Sequence, residues 1–94
     1  KPMKVTVHFL GILGDYFGTP QTELELEIPA NQRILLEEIG RRFGALLPEK
    51  LWDHQENRFI QGVHLIGRNG DLDSSEYPLT EGDEINILMP IAGG

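Results

Sequence analysis

The pair Gly93-Gly94 follows an apolar, strand-like run, "NILMPIA". Two glycines contribute no side chain, no charge and no packing. They supply a thin strand with a carboxylate at its tip, and without Cβ they enter passages closed to other residues. From Pro90 such a segment extends about 14 Å at ~3.5 Å per residue. Pro90 stiffens its root by fixing φ. The reacting group expected of this chain is the Gly94 carboxylate, with Gly93 keeping the approach narrow.

Other residues able to do chemistry form weaker patterns. His8 and His64 can fall near each other on one sheet face, but a metal site needs three or four converging ligands. They read as surface histidines, and His54 as an exposed helix residue. Glu37-Glu38 and Glu81/Asp83/Glu84 lack a paired nucleophile or oxyanion feature, so they read as solvated acidic surface. "GILG" and "FGTP" lack the Gly-x-x-x-x-Gly-Lys spacing of a phosphate loop.

Composition narrows the field further. There is no cysteine, which excludes a catalytic thiol, disulfides, Cys-ligated zinc and iron–sulfur clusters. That absence suits a cytoplasmic protein. A net charge of −7 argues against nucleic-acid or anionic-membrane binding and suits a partner with a basic surface. No run approaches the roughly 20 apolar residues of a membrane span. Lys1-Pro2-Met3-Lys4 shows no signal-peptide pattern, and Met3 reads as a natural start.

These 94 residues make one domain, expected over residues 3–94, with 91–94 a flexible tail. Met3–Leu10 alternates, with Val5, Val7 and Phe9 on one face, and so predicts a strand. Gly11–Gln21 reads as a loop with room for one short helical turn. Thr22–Ile28 alternates again, setting Leu24, Leu26 and Ile28 inward against Glu23, Glu25 and Glu27. Asn31 caps a helix over Gln32–Phe43, whose Leu36, Ile39 and Phe43 face the core, with Leu35 able to share that burial. Gly40 costs that helix about 1 kcal/mol against Ala, and lets another segment approach closely.

Pro48 is expected to open a second short helix to about Gln55, anchored by Leu51 or Trp52. Arg58–Gly67 reads as a third strand with Val63 and Leu65 inward. Asn69-Gly70 reads as a hairpin turn, after which Asp71-Leu72 pairs back. Leu79 is an apolar plug and Glu81-Gly82-Asp83 a turn. Glu84–Met89 is the last strand, with Ile85 and Ile87 inward. The order β-β-α-(α)-β-(β)-β is an α+β arrangement with one main helix packed on one face of the sheet. The opposite face is left partly open, and Leu10, Ile66 and Leu88 fall on it. Three apolar residues on adjoining strands make a patch, and patches mark interfaces.

"KVTVHFLGILGDYFG" (Lys4–Gly18), the Leu79…Gly82-Asp83-Glu84 block, the last strand and Gly93-Gly94 resemble the MoaD/ThiS-like sulfur carriers. The likeness is greatest to the molybdopterin synthase small subunits. It implies a ubiquitin-like β-grasp with a mixed sheet whose first and last strands are parallel neighbours. It also implies a non-catalytic sulfur-carrying subunit with no permanently bound cofactor. An E1-like adenylating enzyme would activate Gly94 through a transient acyl-AMP made from ATP. A sulfur donor would then leave covalent sulfur there as a thiocarboxylate.

The large synthase subunit would receive that sulfur for the molybdenum or tungsten cofactor. Leu10, Ile66, Leu88, Met89, Pro90 and Ile91 would contact these partners. The sequence departs from the family in having Met89-Pro90 where Pro-Pro is usual. It also has aliphatic residues at Leu10 and Leu88 where aromatics are common, and a longer stretch over 46–61. Alternative readings are a ubiquitin-like modifier conjugated through Gly93-Gly94, a sulfur carrier for another pathway, and a plain interaction module.

Overall fold

The computed structural model describes residues 1–72 and 74–89. A five-stranded mixed sheet is built from β1 (Pro2–Phe9), β2 (Gln21–Glu27), β5 (His64–Gly67), β6 (Gly70–Asp71) and β7 (Glu84–Leu88). Its spatial order is β2-β1-β7-β5-β6. A short hairpin, β3 (Trp52–Asp53) with β4 (Arg58–Phe59), stands apart from it. The helices are α1 (Leu13–Phe17) and α2 (Gln32–Phe43), and a single 3₁₀ turn covers Gly44–Leu46.

The period-two pattern decides which way the sheet faces. In β1, Val5, Val7 and Phe9 are buried, and Leu24, Leu26, Ile85 and Ile87 join them from β2 and β7. α2 lies across this face with Leu35, Leu36 and Ile39 buried in it. The helix starts where the sequence places it, because the Asn31 side chain accepts the Ile34 N–H at 2.9 Å. α1 closes one end of the core. Its Phe17 ring stacks on Phe9 with centroids 3.8 Å apart, and Phe43 meets both rings edge-on.

Four expectations are corrected. The second helix over Pro48–Gln55 does not form. One turn at Pro48–Trp52 gives way to the β3–β4 hairpin, because the Asp53 carboxylate accepts the N–H groups of Gln55 and Glu56 and bends the chain. Asn57, at φ 55°, completes the reversal. Arg58–Gly67 is accordingly two strands rather than one, since β4 pairs with β3 and β5 with β7. Ile28 is exposed, because β2 ends at Glu27 and the chain turns before Ile28 reaches the core face. In the β5–β6 hairpin the loop residues are Arg68-Asn69, and positive φ falls on Gly70 alone.

Candidate functional site

β7 is the strand that carries the chain toward residues 90–94, and it occupies the middle of the sheet. On one side it runs parallel to β1, with Thr6 opposite Glu84 and Phe9 opposite Ile87. On the other it runs antiparallel to β5, with His64 opposite Leu88 and Ile66 opposite Asn86. The parallel ladder continues one step past β1, where the Leu10 N–H donates to the Ile87 carbonyl at 2.9 Å. Whatever follows Met89 therefore starts from a strand that is hydrogen-bonded on both sides.

The turn before β7 fixes its register. The Asp83 carboxylate accepts both the Thr80 N–H (2.8 Å) and the Thr80 hydroxyl (3.0 Å). The same turn is stitched to β1. The Gly82 N–H donates to the Lys4 carbonyl (2.8 Å), the Thr6 N–H to the Asp83 carbonyl (2.9 Å), and the Lys4 N–H to Glu81 Oε1 (3.0 Å). Gly82 sits at φ 83°, where a side chain is strained. A slip of one residue would turn Ile87 outward and Leu88 inward. The sequence marked this stretch as a turn but gave no sign that Asp83 and Glu81 serve as hydrogen-bond acceptors within it.

Register then writes the composition of the open face in rows. Nearest the end of β7 come Leu10, Leu88 and His64. The next row is Gln21, His8, Asn86, Ile66 and Asp71, and the next is Glu23, Thr6 and Glu84. Leu10 and Leu88 are side by side and Ile66 is diagonal to Leu88, so the three share one apolar area. Leu10 is 43% exposed, while Ile66 and Leu88 are half-buried by their neighbours on the face. Met89 is also half-buried, packed on the edge of the core.

Sequence reading missed Ile12, which is 51% exposed two residues after Leu10. An apolar residue inside the glycine-rich loop was the available signal. His8 and His64 lie in adjacent rows. His8 Nε2 is 3.0 Å from Glu84 Oε1, so it is engaged by a carboxylate rather than by the other histidine. Gly93, Gly94, Pro90 and Ile91, the remaining site residues expected from sequence, lie outside the described residues.

The ThiS family profile matches residues 7–94. The chain belongs to the ThiS family. That family holds MoaD/ThiS-like sulfur carriers and ubiquitin-like modifiers. No curated protein matches the chain in sequence. Among solved structures, SAMP1 from Haloferax volcanii aligns with a TM-score of 0.79 at 14% identity, over 97% of this chain and 99% of that one. A Pyrococcus furiosus chain provisionally described as molybdopterin converting factor subunit 1 gives 0.72 at 23%, over 95% and 99%. Urm1 from Trypanosoma brucei gives 0.73 at 20%, over 100% and 98%. At these identities the three structures share the ubiquitin-like β-grasp with this ThiS-family chain.

Among the described residues no helix is long and apolar enough to cross a membrane.

Proposed function

We propose that this ThiS-family protein is a sulfur carrier for molybdopterin synthesis, acting through the carboxylate of Gly94. The observation that carries the reading is the family match, which runs through Gly93-Gly94 to residue 94. A carboxylate is a poor electrophile until it bears a good leaving group. An E1-like partner supplies one. A Gly94 oxygen attacks the α-phosphorus of ATP, pyrophosphate departs, and the acyl-AMP forms. Sulfide from a donor then attacks the acyl carbon and AMP leaves, giving a thiocarboxylate. That sulfur is a soft nucleophile, ionised near neutral pH, and is delivered in the large synthase subunit. The partners supply the acid–base and electrostatic groups.

The apolar area of Leu10, Ile66 and Leu88, together with Met89 and the Pro90 and Ile91 that follow it in sequence, is the docking face for these partners. Its position beside the end of β7 favours this, because a partner that grips it also takes hold of the segment leading to Gly94. A second reading is a ubiquitin-like modifier, favoured by the structural likeness to SAMP1. It shares the acyl-AMP step and diverges at the nucleophile, a lysine amine in place of sulfide.

One reconstitution separates the two. Carrier, E1-like enzyme, ATP, sulfide and large subunit are combined and the carrier is weighed. A thiocarboxylate adds about 16 Da, since S replaces O, whereas conjugation adds a whole protein. Deleting Gly94 is expected to abolish the gain and leave the fold intact. A deletion variant as active as the parent, or a parent that never gains sulfur, overturns the carrier reading.

A further inference from the structure

β2 is the long outer edge of the sheet, and its alternation exposes more than side chains. The Phe9 N–H donates to the Pro20 carbonyl at 2.8 Å, and His8 pairs with Gln21 in the same register. In an antiparallel pair the bonded positions alternate. Thr22, Leu24 and Leu26 therefore turn their backbone groups toward β1, and Gln21, Glu23, Glu25 and Glu27 turn theirs to the free edge. Two contacts agree with that assignment. The Thr19 hydroxyl bonds both backbone groups of Gln21, and Arg42 Nη1 donates to the Glu23 carbonyl at 3.3 Å. Among the described residues, nothing else hydrogen-bonds to the outward groups of Glu23, Glu25 and Glu27.

An open edge is a template for another strand. We propose that β2 is a strand-addition site for an extended basic segment of a partner, one with Lys or Arg at alternating positions. The glutamates that own the outward backbone groups also send their side chains to the open face. A strand paired here sets its own bonded residues directly opposite them, and opposite charges in that position attract. A second copy of β2 is disfavoured, because antiparallel pairing of two such edges brings glutamate against glutamate. The edge thus rejects self-association and selects a basic strand. Arg42 holds one carbonyl by a long, exposed bond that an incoming N–H replaces.

The test uses the full chain, isotopically labelled, and the capped peptide Lys-Val-Lys-Val-Lys-Val-Lys. Amide shifts are expected at Glu23, Glu25 and Glu27, with affinity falling as salt rises. N-methylating the lysine amides keeps the charge and removes the ladder donors, and is expected to weaken binding at least tenfold. Glu25→Pro removes one outward donor without touching the β1 ladder and is expected to do the same. Should that variant not fold, reversing Glu23, Glu25 and Glu27 together to Lys is expected to exchange preference for the Glu-Val counterpart peptide. Equal binding of the N-methylated peptide, shifts centred on Leu10 and Leu88, or a reversed edge that still prefers lysine overturns the proposal. Sulfur loading of Gly94 is read separately, so failure here leaves the carrier reading standing.

Discussion

The indole edge of Trp52 lies against the backbone of Gly40: a Cβ added at Gly40 would sit 3.0 Å from Trp52 Cζ2 and 2.8 Å from Asn57 Oδ1. The missing side chain lets the β3–β4 hairpin close onto α2. Gly40→Ala gains about 1 kcal/mol of helix propensity and loses a comparable amount to crowding, because Asn57 can swing away and buried Trp52 must give way. Gly40→Leu has no such room and is expected to lose about 1–3 kcal/mol. Urea denaturation measures both. A neutral Gly40→Leu would mean that the hairpin does not pack there.

Ile87 and Leu88 are adjacent on β7 and face opposite ways, and they should separate stability from binding. Ile87→Ala empties fully buried volume and is expected to cost about 2–5 kcal/mol. Leu88→Asp lies on the open face. It is expected to leave the thermal midpoint within a few degrees while weakening the proposed complex with a synthase large subunit. Calorimetry of the free protein and titration against the partner read the two effects. Unfolding by Leu88→Asp would show that this face is core.

Gly82→Ala tests the register turn. A non-glycine residue at φ 83° is strained, and the expected loss is about 1 kcal/mol or more. The turn's bond from the Gly82 N–H to Lys4 makes β1 amides the reporters. Hydrogen exchange at Lys4 and Thr6 should accelerate more than exchange in α2, and uniform acceleration would count against a local role.

Acid should weaken the fold through two carboxylates. Glu38 is held below the ordinary glutamate value of 4.5, mainly by its hydrogen bonds from Arg41 at 2.6 and 3.0 Å. Asp53 is held below the ordinary aspartate value of 3.8 by the N–H groups of Glu56 and then Gln55. Each folded value lies below the unfolded one, so the unfolded chain binds protons first. The stabilisation is complete above those ordinary values and is lost as pH falls through the folded ones. The double variant Glu38→Gln, Asp53→Asn is expected to flatten the acid limb of a stability–pH curve below about pH 4.5. An unchanged slope would show that neither contact matters.

The strands and the main helix were legible because each carries one unambiguous period. β1, β2 and β7 alternate, and Gln32–Phe43 has a capping asparagine and a single apolar stripe. The stretch after Pro48 was not, because Leu51 and Trp52 suit a helix face and a hairpin plug equally well. What decides between them is tertiary: space at Gly40, and Asp53 gathering two backbone donors. Ile28 was misread because alternation shows where a strand points, not where it stops. On the candidate site, the alternation of β7 sent Leu88 outward, and the half-burial of Leu88 and Ile66 comes from neighbours that only register brings together.

The parallel pairing of β1 with β7 also has a consequence in time. Residues 6 and 84 are partners, so the centre of the sheet is empty until nearly the whole domain has been synthesised. The β1–β2 hairpin and α2 emerge first, with the apolar faces of Val5, Val7, Leu24 and Ile39 lacking their central strand. Contacts of such long sequence separation slow folding and leave apolar surface uncovered while the ribosome works. Any chain cut short before Glu84 stays aggregation-prone. The same strand that completes the core leads on toward residue 90, so closing the core and fixing the root of that segment are one event.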